Sequence, residues 1–378
     1  MSRPLRALVL TVVHHPADAR IRHRQIAALL DAGWEVTYAA PWAGYDLPRP
    51  SEVPGLRAVE AVRAVGRHRV AALRSARGVL RRLGPRHDVV VLHDPELLLA
   101  TVGIRSLPPV VWDVHEDTSA AVEVRSWLPE RLRGPAAAGV RSLERWAEKR
   151  FALILADAQY ADRFRRSHPV VPNTTWVPAD PPPAGSRPGD PHRVVYLGSV
   201  TLERGVQEMI EVAGRLRSRT GRRVRLEVLG PAHGPATALL RGASEEGLLT
   251  WSGFVPNDEA LARLDGALAG LSLLHDVANF RPSMPTKVVE YLAHGVPAIT
   301  TPLPVAAGLV RRSDGGVVVP FGDVDAVVDQ IVRWHEHPTE AVVAGRAGHR
   351  TVAAEHDWAV QAPRFVALLR RVAAGQNS

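Results

Sequence analysis

Cysteine is absent from the 378 residues, which excludes disulfides, thiolate metal sites and thiol nucleophiles together. Aromatic residues make up only 5%, few platforms for base stacking, and no base-stacking module is recognisable. No stretch reaches the ~20 uninterrupted apolar residues of a membrane span. The N-terminus, MSRPLRALVLTVVHHPADAR, turns polar too early for a secretory signal, so a cytoplasmic protein is the expectation. A G-x-S-x-G nucleophile elbow is missing, which argues against serine-triad hydrolysis. Along the chain no His, Asp or Glu cluster has metal-ligand spacing, and His14-His15 runs straight into proline. Neither a metal nor a bound cofactor is expected.

Positive charge is what the chain has in excess. Its formal net charge is +8, which attracts nucleic acid, acidic lipid surfaces or phosphorylated small molecules alike. Part of the excess is local: Arg63, Arg67, Arg69, Arg74, Arg77, Arg81, Arg82 and Arg86 fall between residues 61 and 87 with no acidic residue among them. Val70, Leu73, Val79, Leu80 and Leu83 give the same stretch an apolar side, so peripheral contact with the inner face of a membrane is a further expectation.

At this length two domains of ordinary size are expected. LRALVLTVV (5–13) has the pattern of a strand buried on both faces, RHRQIAALLDAG (22–33) that of a helix stopping at Gly33, and WEVTYAAP that of a second strand. HDVVVLHD (87–94), PPVVWDVHED (108–117) and FALILADA (151–158) repeat the theme. The reading is a Rossmann-like, doubly wound parallel sheet over 1–172, then a proline-rich linker over 173–190. The pattern restarts in HRVVYLGSV, VRLEVLG, LLTWSG, AGLSLLH, VPAITT and GGVVVP, predicting a second parallel sheet over 191–355. Residues 338–375 read as helical with a break near 355–357, and 356–378 as a terminal helix packing back on the first domain. Open α/β sheets bind ligands at the carboxyl ends of their strands, so residues there are the candidates.

In VVYLGSVTLERG, a strand is followed by Gly198, Ser199 and a helix opening near Arg204-Gly205, where backbone amides and a guanidinium suit a diphosphate. The spacing is neither a dinucleotide-binding G-x-G-x-x-G nor a P-loop, and a purely structural strand-turn-helix explains it as well. In RPSMPTKVVEYLAHGVPAIT (281–300), Thr286 is read as an N-cap with Lys287 in the first helical turn. A lysine there opposes the helix dipole, which makes sense beside an anionic ligand. Glu290, one turn on, could accept from vicinal ribose hydroxyls, or simply pair with Lys287. In the first domain His93-Asp94 and His115-Glu116 each end an expected strand, and His15, Asp18 and Arg20 follow the first one. These could meet an acceptor or a sugar, or serve as ordinary hydrogen-bonded residues.

Residues 281–301 resemble the donor signature of retaining glycosyltransferases of the GT-B fold, in the family-4-like branch reading P-N-K-[hydrophobic]₂-E-Y-[hydrophobic]-A-x-G-x-P-V-I. VVYLGSVTLERG is similar to that family's G-R-x₄-K-G loop, VVPN (170–173) to the segment leaving its first domain, and HDWAVQAPRFVALL to its terminal crossing helix. HHPADARIRHRQIAALLDAGWEVTYAAP, LHDPELLL and WDVHED resemble the branch's opening and its histidine motifs. The resemblance implies two facing Rossmann-like domains and metal-independent transfer from a nucleotide-diphosphate sugar to a hydroxyl of a glycan, lipid-linked intermediate or small molecule. It places Arg204 on the family's phosphate-binding lysine, Glu290 on its ribose-binding glutamate, and His115 where a histidine often faces the donor sugar. Catalysis would then fall to His115, Arg204 and Lys287. Gly198, Ser199, Arg204, Lys287 and Glu290 would bind donor, with His15, Asp18, Arg20, His93, Asp94 and Glu116 on the acceptor or sugar side. Ser199 and Pro282 depart from the pattern, standing where the family has an arginine and a glutamate; Lys287 or Arg281 could supply the missing charge. A nucleotide-sugar 2-epimerase and an inactive binding protein of the same fold are the alternatives.

Overall fold

The structure is a computed structural model that describes residues 3–50, 53–115, 130–186 and 192–376. The chain divides into two compact units, one formed by 1–173 with 360–378 and the other by 174–359.

The first unit is built on a six-stranded parallel sheet in the order β3-β2-β1-β4-β5-β6. Its strands are β1 (Arg6–Leu10), β2 (Glu35–Ala40), β3 (Leu56–Glu60), β4 (Val89–Leu92), β5 (Val110–Val114) and β6 (Ala152–Leu155). β4 and β5 are buried at every position, as expected of central parallel strands covered on both faces. Leu8, Leu10, Val90, Leu92 and Trp112 join Ala72, Ala76, Val79 and Leu80 of helix α2 (Arg69–Leu83) in one core.

Three details depart from the sequence reading. β3, LRAVE, is an edge strand with partly exposed positions, and so lacks the apolar run that would announce it. The helix expected over 22–33 starts instead as a π-helix over Ala19–Ile26 and becomes α-helical only at Ala27–Asp31. Asp18 caps it, accepting from the amides of Arg20 and Ile21 at 2.9 Å each, and Arg20 and Arg24 are buried within it. Finally, the apolar side of α2 faces inward: Val79 and Leu80 are in the core, Leu73 and Leu83 pack against it, and only Val70 is exposed.

The second unit repeats the winding with six parallel strands in the order β12-β11-β10-β7-β8-β9. These are β7 (His192–Leu197), β8 (Val224–Leu229), β9 (Leu249–Trp251), β10 (Ala269–Ser272), β11 (Ala298–Thr300) and β12 (Gly316–Val318). Helix α5 (Val206–Thr220) follows β7, and helix α8 (Thr286–Ala293) lies between β10 and β11. Helices Pro338–Glu355 and Trp358–Ala373 are separated at His356-Asp357; the latter lies in the first unit from residue 360 on, where its Arg370 donates to the carbonyl of Ala32, the C-cap of the helix Ala27–Asp31. Among the described residues, no helix is long and apolar enough to cross a membrane.

Candidate functional site

In the second unit the ends of β7, β8 and β10 are pressed together by glycines. A Cβ on Gly230 (φ 145°) would sit 2.1 Å from the Gly198 carbonyl oxygen, and one on Gly205 (φ 84°) 2.4 Å from the Leu273 carbonyl oxygen. Gly205 is the N-cap of α5, so that helix opens directly against the end of β10. Gly198 itself has φ 109°. The Ser199 carbonyl accepts from the Tyr196 hydroxyl at 2.8 Å and from Arg204 at 3.5 Å. The Arg204 guanidinium also lies over Phe280, 5.7 Å from the ring centroid.

Lys287 comes to this place from α8. The N-cap is Pro285 rather than Thr286, and no side chain caps the helix, since its first residue is Thr286 itself. Lys287 is 5% exposed, and its Nζ sits 3.7 Å from the centroid of the Tyr196 ring with no hydrogen-bond partner among the described residues. Burial holds its pKa well below the usual lysine value, the nearby Arg204 charge lowers it further, and Glu290 opposes the shift. Glu290 is buried one turn on. Gly198 leaves its side open toward Lys287: a Cβ there would meet Lys287 Cε at 3.7 Å and Nζ at 3.9 Å. Arg281, in contrast, pairs with Asp276 on the surface at 2.7 and 2.9 Å, so it is not a free cation for this site.

Tyr291 fixes α8 in register, a role the sequence reading did not assign. Its hydroxyl accepts from the Leu197 amide at 2.9 Å and donates to the Leu271 carbonyl at 3.0 Å, tying the helix to β7 and β10. The ring fits because residue 270 is glycine; a Cβ there would lie 2.3 Å from Tyr291 Cδ2.

In the first unit, His14, Arg69, His93, Asp94, Glu96 and His115 line a cavity of about 100 Å³ at the carboxyl ends of β1, β4 and β5. Asp94, almost fully buried, accepts from Thr11 Oγ1 at 3.0 Å and from the amides of Val12 and Val13 at 2.6 and 3.2 Å, with His14 Nε2 at 3.3 Å from its other oxygen. It therefore shapes the turn after β1. Asp113, from within β5, is fully buried and anchors a second network. Arg20 grips it with two bonds of 2.9 and 2.7 Å, Gln25 Nε2 donates at 2.6 Å, and His115 Nε2 lies 2.8 Å away. His93 Nδ1 is 3.4 Å from Asp113 and 2.8 Å from His115 Nε2.

Burial pushes the Asp113 carboxyl up, but the Arg20 and His115 partners overcome it and hold the group well below the usual range. Burial lowers the His115 pKa to about 4 against the raising effect of Asp113, so its imidazole is neutral at pH 7. Arg20 also donates to the Val171 carbonyl at 2.8 Å and to Asn173 Oδ1 at 3.1 Å. With its donors so committed, it braces the site from behind and does not reach a ligand phosphate. Asp18 is a helix cap, and His15 meets Tyr45 edge-to-face at 4.7 Å between ring centroids, with its Nδ1 accepting from the Ala17 amide. Glu116 lies outside the described residues.

His93, Asp113 and His115 bring ligand atoms within 4.8 Å of one another, a grouping that linear spacing did not announce. Their facing atoms already satisfy one another, and Asp113 is neutralised by Arg20. A cation among them would have to break these bonds and lie beside a guanidinium.

Residues 191–337, which hold the whole Lys287 site, match the family model described as Glycosyl transferases group 1. The chain is 26% identical over 177 residues to WcaL of Escherichia coli K12, a candidate colanic acid biosynthesis glycosyltransferase, covering 45% of this chain and 42% of that one. The chain thus spans less than half the length of the curated relatives it matches. Sucrose-phosphate synthase from Thermosynechococcus elongatus superposes with a TM-score of 0.73 at 18% identity, covering 99% of this chain and 100% of that one. HepE of Anabaena, solved with UDP-glucose, gives 0.65 at 13% identity over 97% and 99%. The fold is the expected α/β GT-B architecture, two doubly wound parallel-sheet units.

Proposed function

We propose that the chain is a glycosyltransferase that moves a sugar from a nucleotide-diphosphate donor to an acceptor hydroxyl, with the donor held by the second unit. The observation that carries this is Lys287, a buried ammonium without a hydrogen-bond partner among the described residues, at a glycine-lined strand end beside Arg204 and the opening of α5. A buried ammonium whose donors are unsatisfied is costly, and an incoming diphosphate would satisfy them. The group 1 match over the same residues and the UDP-glucose in HepE support a nucleotide-sugar donor.

Cleaving the bond between the anomeric carbon and the diphosphate leaves an oxocarbenium-like sugar and a departing phosphate carrying new negative charge. Lys287, Arg204 and the α5 amides stabilise that charge through preorganised electrostatics. They supply the counter-charge that a divalent ion would otherwise bring, so transfer is expected to persist in EDTA. Glu290 accepts from the ribose hydroxyls. The neutral His115 imidazole offers a hydrogen bond to a sugar or acceptor hydroxyl in the first unit's cavity. Retention of anomeric configuration rests on the resemblance of residues 281–301 alone, and the anomeric proton signals of the product test it.

Thermal shift with UDP, GDP, ADP and their sugars tests the reading, because ligand at ~100 times its Kd adds about 2.7 kcal/mol. At least one nucleotide should raise Tm in the wild type and fail to do so in Glu290→Ala and Arg204→Ala. No shift with any of them, or undiminished shifts in both variants, would remove the site. A 2-epimerase would instead consume donor with no acceptor present.

A further inference from the structure

The arginine-rich stretch around α2 takes no part in either site beyond Arg69. Three of its arginines are engaged: Arg63 donates to the Gly44 carbonyl and lies over Tyr45, Arg69 pairs with Glu96 at 3.1 Å, and Arg77 donates to the Ala100 and Val102 carbonyls. The other five, Arg67, Arg74, Arg81, Arg82 and Arg86, are exposed and have no hydrogen-bond or ion-pair partner among the described residues. Positions 67, 70, 74 and 81 recur at helical spacing and lie on the outward side of the segment, opposite buried Ala72, Ala76, Val79 and Leu80.

Aliphatic groups stand among these charges. Val62, Val65 and Val70 are 39%, 50% and 59% exposed, and Leu99 and Val102 are 49% exposed each. The two Arg77 bonds tie α2 to residues 100 and 102, which brings Leu99 and Val102 alongside it. Among the described residues, the exposed large aromatic side chains, Trp176, Phe254 and Phe321, belong to the other unit.

We propose that this face docks on an anionic lipid bilayer. Unpaired guanidinium groups complement an acidic leaflet, and interspersed short aliphatic chains enter the headgroup region. A nucleic-acid surface would use the charges but has little use for the valines, and it would favour exposed aromatic platforms, which this face lacks among the described residues. An acidic protein partner would neutralise the arginines without lipid. The docking stands apart from the activity proposed above. Arg69, at the start of α2, lines the cavity that holds His115, so a docked bilayer lies beside that cavity.

Co-sedimentation of the full chain with sucrose-loaded vesicles tests this. Wild type should sediment with phosphatidylcholine vesicles containing phosphatidylglycerol, stay in solution with phosphatidylcholine alone, and be released by high salt. Arg74→Glu, Arg81→Glu and Arg82→Glu together should lower the partition coefficient at least ~10-fold, each charge near an anionic leaflet being worth roughly 5-fold. Their side chains have no partners among the described residues, so the thermal melt should not move; the single Arg74→Glu variant serves if it does. Val65→Ser with Val70→Ser should weaken lipid binding while leaving binding to a duplex RNA probe as it was. The proposal is overturned if wild type ignores anionic vesicles, if the charge-reversed variants sediment like wild type, or if only the RNA probe is bound.

Discussion

Arg20 and Asp113, 93 residues apart, meet as a two-bond ion pair of 2.9 and 2.7 Å with the arginine 5% exposed and the aspartate fully buried. The pair joins the π-helix after β1 to β5, and through Asp113 it reaches His115 and His93. Removing one partner leaves the other charge buried and unpaired, which costs about 3–5 kcal/mol. Arg20→Ala is therefore expected to lower unfolding free energy by that amount in urea titration. Arg20→Lys should recover little, because an ammonium cannot make the planar two-bond contact. A loss under 1 kcal/mol would mean that the pair contributes nothing beyond packing.

His115 makes stability depend on pH in a defined window. Its pKa falls from 6.5 to about 4 on folding, so between those values the unfolded chain binds a proton that the folded chain does not. Stability then decreases as pH drops from 6.5 to 4, by on the order of 2–3 kcal/mol at about 1.4 kcal/mol per unit. The Asp113 carboxyl is depressed instead; its contribution is present above the ordinary carboxylate range and disappears only below this window. His15, His87, His192 and His335 are also lowered, mainly by burial, but they are common to wild type and variant. Subtracting the His115→Gln profile from that of wild type should isolate the slope. Parallel profiles from pH 4 to 6.5 would show that His115 titrates normally.

Much of this was legible in the sequence, and what was missed has physical reasons. The central strands of the second unit were legible because VVYL of β7, AGLS of β10 and AIT of β11 are short runs covered on both faces. β3 was not legible, since an edge strand can alternate charged and apolar residues. The inward turn of α2 was misread because Val79, Leu80 and the arginines share one segment, and only packing decides which side faces out. Two signals could have found more. Asp113 is the one acid in the run VVWDV, and an acid inside a buried strand needs a cationic partner. Lysine occurs only at 149 and 287 among 47 basic residues, so the first turn of α8 holds the less common cation, the one whose pKa burial can move. Tyr291 was invisible because its bonds to Leu197 and Leu271 depend on strands far away in sequence.

Lys287 links ligand binding to pH and to stability in opposite senses. Its pKa is well below 10.5 in the ligand-free protein, and a bound diphosphate restores it, so binding takes up a proton wherever the free ammonium is partly neutral. Affinity for a nucleoside diphosphate should fall as pH rises through the lowered pKa. Calorimetry in buffers of different ionisation enthalpy measures the uptake directly. Lys287→Met should abolish the uptake and cost about 1.5–3 kcal/mol of affinity, the loss of one charge-assisted bond. The same variant should be no less stable than wild type without ligand, because it removes a buried cation that lacks a hydrogen-bond partner. A variant that binds normally, or that is strongly destabilised, would show that the ammonium serves the fold instead.

Tyr291→Phe separates positioning from contact. The hydroxyl makes two bonds to strand backbone, and the Lys287 ammonium packs on the ring of Tyr196. Deleting it leaves the Leu197 amide and the Leu271 carbonyl without that partner in a buried place, at about 1–3 kcal/mol. Since α8 carries Lys287 and Glu290, loosening its anchor should weaken nucleotide binding as well as lower Tm. Raising ligand concentration should recover saturation, because both binding groups remain. Hydrogen exchange at the Leu197 amide, now faster, would tie the lost affinity to the freed strand end; a Tm drop with unchanged affinity would confine Tyr291 to the core.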